Sequence, residues 1–432
     1  MSDMSSPSLL RALRLGDLTS LGVNQLIGSG IFVLPATVAV LVGHAASPLV
    51  WVAAAAINAL IILCFAEAAG RFRDAGGPYL YAKEAFGPFA GFQVAWMIWL
   101  TRVSTQAAVA NAFVLYLSYF WTGVNGGFER IAVLTTIIVS LAIINFRGIR
   151  YGSWVVNFFT IGKLIPLTVF IFLGFSHIDW ELFKGFSELK WSGFGQAILL
   201  LMFAFGGFEL VSLPAGEARS PRRDVPRALL TTLTIAFIYY VATQLVTVGT
   251  LPGLSESSTP LADAAAGFLG PLAGMLIAVG ALISITGTNA GTMLAGPRVT
   301  YALGERGQLP SLFSHIHSRF CTPDFSIFVY AVVSLLLALT GTFVQMAAMS
   351  AVARLLVYVI TCSAVPVLRQ RQCGTRGENI FQLPGGRVIP LLAVVASAAV
   401  ILAADLVSLL AGGVALLLGT GIYFYRRLVF AG

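Results

Sequence analysis

Apolar runs of about 20 residues, the length that crosses a bilayer as a helix, recur along the chain with short polar breaks between them. They fall at 18–43, 47–70, 88–120, 129–146, 152–175, 193–215, 227–250, 268–302, 324–342, 344–367, 388–404 and 406–425, twelve in all. The pattern predicts an all-α polytopic membrane protein with twelve transmembrane helices. The runs at 88–120 and 268–302 are longer than a bilayer requires and imply tilt or extension beyond it. Between runs, Gly43 to Pro48 reads as a short turn, and Gly76 to Phe86 as a turn followed by an amphipathic surface helix. Residues 251–267 read as a loop with a short re-entrant helix from about Leu261.

Two runs are interrupted. In the first, Gly28-Ser29-Gly30 stands mid-run and Pro35 follows. Each glycine lowers helix stability by roughly 1 kcal/mol relative to alanine, and proline has no N–H to donate. Lipid offers no water to replace a lost backbone partner. The interruption therefore either lets two helices approach closely or points bare N–H groups at a cavity, where they hold an anion. The second interruption is Gly206-Gly207, inside Phe203-Ala204-Phe205-Gly206-Gly207-Phe208-Glu209.

Laid side by side, runs 1–5 and 6–10 correspond. The interrupted runs are the first and sixth, the long runs are the third and eighth, and Lys163 in the fifth matches Arg354 in the tenth. Five helices separate each pair, so the two halves are inverted relative to each other. The expected division is an N-terminal tail at 1–17, a first five-helix repeat at 18–175, an inverted second repeat at 176–367, a linker at 368–387, and two last helices with a short tail at 388–432. Paired discontinuous helices in inverted repeats point to the central site of a transporter.

Composition sharpens this reading. The chain is 58% hydrophobic and 10% charged, against about 25% charged residues in soluble domains. Its formal net charge of +8 needs no nucleic acid or other polyanion. Twenty of the 26 Lys and Arg residues fall on one side of the predicted spans, and only Arg130, Lys184 and Lys190 on the other. This positive-inside bias places both termini in the cytoplasm of a cytoplasmic (inner) membrane. Met1 to Arg14 lacks the pattern of a cleaved signal. The cysteines and histidines form no metal-ligand or catalytic spacing, and no phosphate-binding glycine loop is present. The expectation is a transporter that is neither an enzyme nor an ATP-driven pump, with no cofactor and no metal.

Five ionisable groups lie inside the runs: Glu67, Arg102, Lys163, Glu209 and Arg354. A charge at mid-membrane costs roughly 2.5–3.5 kcal/mol even on the lower scales, so each needs a partner, water or neutralisation. Lys163 is too deep to snorkel. It either takes up and releases protons, or holds a fixed positive charge where another transporter binds sodium, or pairs with a carboxylate or helix-end carbonyls. Glu209, at the second interruption, caps exposed N–H groups, pairs with Arg102 or carries a proton. Arg102, with Gln106 one turn further on, recognises a carboxylate or pins Glu209, and pinning is the preferred reading. Arg354 reads as structural, and Glu67 as one half of a helix-surface pair with Arg71.

These residues resemble the amino acid–polyamine–organocation permeases over nearly the whole chain. The likeness rests on Gly28-Ser29-Gly30-Ile31-Phe32, on Gly76-Gly77-Pro78-Tyr79-x-Tyr81, on the Phe203–Glu209 stretch, and on Gly216-Glu217-x-x-x-Pro221-Arg222-Arg223-Asp224-Val225-Pro226. The resemblance implies a leucine-transporter-like fold: a five-plus-five inverted repeat with two extra helices and discontinuous helices 1 and 6. It implies secondary transport of amino acids by alternating access. Backbone N–H groups around Ser29, Gly30 and Ile31 would hold the substrate carboxylate, carbonyls around Phe203, Ala204 and Phe205 its ammonium, and Phe203 or Phe208 would gate the site. In members similar to this chain a lysine in the fifth helix occupies the place of a sodium site. Lys163 would then lie near Gly28 and the polar run at Ser284, making transport sodium-independent, with a proton or a counter-substrate as the coupling partner. The chain departs from the family pattern at Asn24-Gln25 and at Arg102. A polyamine or organocation antiporter is the second reading and a non-transporting sensor the third.

Overall fold

The computed structural model describes residues 13–72, 76–148, 153–184, 189–371, 381–383 and 385–429. Most of the tail expected at 1–17 and half of the linker expected at 368–387 lie outside them. The described residues form fifteen α-helices and a few single turns, with one isolated bridge between Leu13 and Ala218. The first apolar run is two helices, α1 (Leu15–Leu26) and α2 (Gly30–Val42), bent by 42° at the break. After α3 (Ser47–Gly70), the surface helix expected near 76–86 is α4 (Gly77–Phe86), and the long third run is α5 (Pro88–Leu117). Next come α6 (Gly127–Phe146), α7 (Ser153–Phe175) and α8 (Trp191–Ala204). The sixth run stops at Ala204 and resumes only as a tight turn at Phe208–Ser212.

The second part of the chain continues with α9 (Pro221–Thr250), the short α10 (Pro260–Leu269) expected from Leu261, and the long α11 (Pro271–Glu305). The remaining helices are α12 (Asp324–Thr340), α13 (Phe343–Arg371), α14 (Val388–Leu402) and α15 (Leu406–Val429). Among the described residues seven segments are individually long and apolar enough to cross a membrane, and the bent α1–α2 pair makes an eighth. This is a multi-pass membrane protein.

One local pattern occurs twice. Helices α4 and α10 are each ten residues long, and each stops at a glycine with φ near +90°, Gly87 at 92° and Gly270 at 88°. A proline then starts the following long helix, Pro88 in α5 and Pro271 in α11. Glycine reaches that φ without a side-chain clash, and proline at a first helical turn forfeits no hydrogen bond. Each short helix is thereby turned sharply into a long one.

Burial separates the centre from the rim. In α5 every residue from Thr101 to Ala112 is buried, as a helix enclosed on all sides must be. Helices α11 and α13 pack on α5, and α9 packs on α1 and α3, whereas α15 turns Leu406, Leu417 and Leu428 outward at 70–80% exposure. Such an apolar rim suits lipid.

Glu67 is more deeply engaged than a surface pair with Arg71. It is fully buried, 2.8 Å from Arg71 Nη2, and Arg369 of α13 grips both its oxygens, Nε at 2.7 Å and Nη2 at 2.5 Å. The Leu383 N–H donates to it as well, at 2.9 Å. Removing one partner of a buried ion cluster leaves the others uncompensated. Glu67→Ala is expected to lower stability by about 3 kcal/mol, read as a fall in melting temperature of the detergent-solubilised protein.

Candidate substrate site at the two helix breaks

The two interruptions lie against each other. A Cβ at Gly30 would stand 2.8 Å from the Ala204 Cβ, and one at Gly207 would stand 3.2 Å from the Gln25 backbone. Only glycine allows the backbones this approach. Gly207 also has φ +111°, in the left-handed region, and this turns the chain away from the axis of α8.

At the first break, Ile27, Gly28 and Ser29 connect the two half-helices. Gly30 and Ile31 open α2, where N–H groups have no carbonyl one turn back. Among the described residues the N–H groups of Ser29, Gly30 and Ile31 donate no backbone hydrogen bond, and the buried Ser29 hydroxyl is also without a partner. Three carbonyls at the end of α1 are met by side chains of other helices. Lys163 Nζ, 1% exposed, donates to Asn24 O and Ile27 O at 2.9 Å each, and Tyr240 Oη donates to Leu26 O at 2.6 Å. Of the partners that Lys163 was open to, the structure shows helix-end carbonyls.

The second break is treated in the same way. Arg354 Nη1 donates to Phe203 O at 3.1 Å and to Met202 O at 3.4 Å, while Tyr240 Oη reaches Ala204 O at 2.8 Å. The Arg354 guanidinium fills the space that a side chain on Gly206 would need. Arg354 is therefore a constituent of the site and not a distant structural group, which its position in the run did not reveal. Each broken helix thus ends its first half on a buried cation from another helix.

A small closed cavity of about 20 Å³ remains between the breaks, room for about one water. Gln25, Gly28, Ser29, Gly30, Arg102, Thr105, Val109, Phe203, Ala204, Gly206, Gly207, Thr288 and Arg354 line it, with Leu26. Arg102 Nη2 lies 3.3 Å from Glu209 Oε1, and Arg354 Nε lies 3.6 Å from the same oxygen. Glu209 Oε2 accepts from the Gly207 N–H at 2.9 Å and from Tyr358 Oη at 3.2 Å.

The other expected residues are buried nearby but not in the lining. Gln106 turns to Asn289 on α11, 2.8 Å away. Phe205 packs on Tyr240 and Trp51, and Phe208 between Phe65 and Tyr358, so only Phe203 of the gate candidates faces the cavity. Ile31 is buried in the core. Ser284 has a buried, unpartnered hydroxyl one turn from Gly280, where α11 packs on Pro166 of α7. Thr105, Val109 and Tyr240 were missed. Thr105 shares a helix face with Arg102, a spacing that could have found it; nothing distinguishes Tyr240 from Tyr239 in sequence.

Above Phe203, Phe343 of α13 packs edge-on with ring centres 5.7 Å apart. Phe343 also lines a larger, open cavity of about 850 Å³ bounded by Val33, Asn111, Arg130, Ser257 and Thr342. The aromatic pair separates this vestibule from the cavity between the breaks.

A family model described as "Amino acid permease" matches residues 13–422. The chain is 29% identical to the serine/threonine exchanger SteT of Bacillus subtilis, over 93% of this chain and 92% of the relative. It is 28% identical to the branched-chain amino acid permease BcaP of the same organism, over 97% and 94%. With the methylthioribose transporter of that bacterium it shares 27% identity over 90% and 87%. These relatives are carriers and not enzymes, and the match spans nearly all of the chain: it belongs to the amino acid permeases of the amino acid–polyamine–organocation superfamily and transports amino acids.

Proposed function

We propose that the chain is a sodium-independent secondary transporter that carries an amino acid by alternating access, driven by a proton or by exchange for a counter-substrate. The observation that carries this is the meeting of the two breaks, with bare N–H groups of α2 on one side of a cavity and the carbonyl end of α8 on the other. A helix N-terminus favours the carboxylate and a C-terminus the ammonium. The cavity is closed and the vestibule above the Phe203–Phe343 pair is open, as suits a resting state from which the pair parts to admit substrate. Lys163, bonded only to carbonyls among the described residues, would supply the charge that a sodium ion supplies elsewhere.

The same reading takes the architecture as twelve spans in a five-plus-five inverted repeat. Twelve is reached when α1–α2 counts as one, α8 and its turn as one, and the apolar helices α7, α12 and α14 are included. The repeat is supported by the doubled Gly-Pro corner after α4 and α10, and by Lys163 and Arg354 serving the two breaks alike. The repeats would occupy 18–175 and 176–367. The charge bias puts both termini in the cytoplasm and the chain in the cytoplasmic membrane, with the vestibule facing outward.

Uptake of labelled amino acids into proteoliposomes tests this. Replacing sodium by choline on both sides is expected to leave the rate unchanged, while an imposed proton gradient or internal amino acid raises it. Loss of uptake in choline would remove the sodium-independent reading.

A further inference from the structure

The charges around the closed cavity do not balance. Two guanidiniums line it, Arg102 at 2% exposure and Arg354 at 3%, and among the described residues the one carboxylate paired with them is Glu209. Glu209 serves both arginines, the Gly207 N–H and Tyr358, so its negative charge is already shared. Arg354 Nε is buried with no hydrogen-bond partner. At the other break, Lys163 is a further cation, held among the described residues by carbonyls alone. An uncompensated buried charge is costly and is relieved by a counter-charge.

A neutral zwitterion leaves that excess in place. Its ammonium also seeks the carbonyls of Met202 and Phe203, where Arg354 now donates, and two like charges a few ångströms apart in a closed site repel strongly. A second carboxylate on the ligand removes both difficulties. It balances the excess cation and draws the guanidinium off the carbonyls, which are then free for the ammonium. A dibasic amino acid or polyamine adds to the excess instead.

We propose that the site selects an amino acid with a carboxylate side chain, received by Arg354 with Arg102 beside it. The proposal rests on the reading above that substrate binds between the two breaks. Planar, bidentate guanidinium–carboxylate pairing gives such a contact its selectivity.

The test is a set of uptake and thermal-stabilisation titrations on the purified, reconstituted full chain with L-aspartate, L-glutamate, L-asparagine, L-glutamine, L-serine, L-lysine and putrescine. The acids are expected to act at concentrations at least about tenfold lower than their amides, with lysine and putrescine inactive. Arg354→Gln is expected to abolish the advantage of acid over amide, and Arg354→Lys to retain part of it. Preference for the amides, serine, lysine or putrescine overturns the proposal and leaves amino acid transport standing. Absence of uptake and stabilisation with every amino acid overturns the proposed binding site too. An acid preference that persists undiminished in Arg354→Gln also overturns the proposal.

Discussion

Lys163→Ala is expected to abolish net transport while leaving a folded, membrane-inserted protein. The ammonium donates to two carbonyls at the cut end of α1, at 2.9 Å each, and is closed off from solvent. With alanine there, both carbonyls lose that donor in a dry place. A buried acceptor left unsatisfied costs about 1–3 kcal/mol. That weakens the attachment of α1 to α7 without removing the apolar core around it. The larger effect is on turnover, because the tilt of α1 relative to α7 is set by these bonds and by the charge between them. Proteoliposome uptake at background level, with near-normal yield and a monodisperse size-exclusion profile, is the expected result. Undiminished, equally pH-dependent transport in the variant would reduce Lys163 to a helix cap.

Glu209→Gln is expected to destabilise the protein most among isosteric changes at the site. The amide keeps the shape but removes the negative charge from between Arg102 and Arg354, leaving two buried cations facing one neutral group. Breaking a buried ion cluster in this way costs about 3–5 kcal/mol. Tyr358→Phe, which deletes only the hydroxyl 3.2 Å from Glu209 Oε2, should cost about 1 kcal/mol. Thermal melts of the two variants in the same detergent measure the contrast. Equal melting temperatures for Glu209→Gln and the parent protein would show that one arginine already finds its counter-charge elsewhere.

The skeleton of this site was legible because its most telling residues are glycines. Gly28, Gly30, Gly206 and Gly207 stand out within apolar runs, and backbone interruption in lipid has few physical meanings. The apolar run lengths likewise announce the long α5 and α11, while the short α4 and α10 are legible from an amphipathic stretch after a turn and from a loop that re-enters near Leu261. What the chain's order concealed is which faces meet. Arg369 lies 302 residues from Glu67, and no local pattern joins them. Phe203 and Phe208 looked alike as gates, but the left-handed turn at Gly207 resets the helical phase. Phe208 therefore lands among Phe65 and Tyr358 while Phe203 stays at the cavity. Arg354 reads as structural in a helix that packs the core of the second half, and only the fold brings its guanidinium to the space beside Gly206, the carbonyls of Met202 and Phe203, and Glu209.

A single hydroxyl, that of Tyr240, serves two helix ends. Tyr240 Oη lies 2.6 Å from Leu26 O and 2.8 Å from Ala204 O, yet a phenol has a single proton to donate. The two carbonyls belong to α1 and α8, and α9 holds the phenol between them. In the alternating access proposed above, a parting of α1 from α8 would let the proton settle fully on one carbonyl and release the other, so the first small movement would not leave Tyr240 without a bond. The pin that joins the two helices would then also be the hinge on which they come apart.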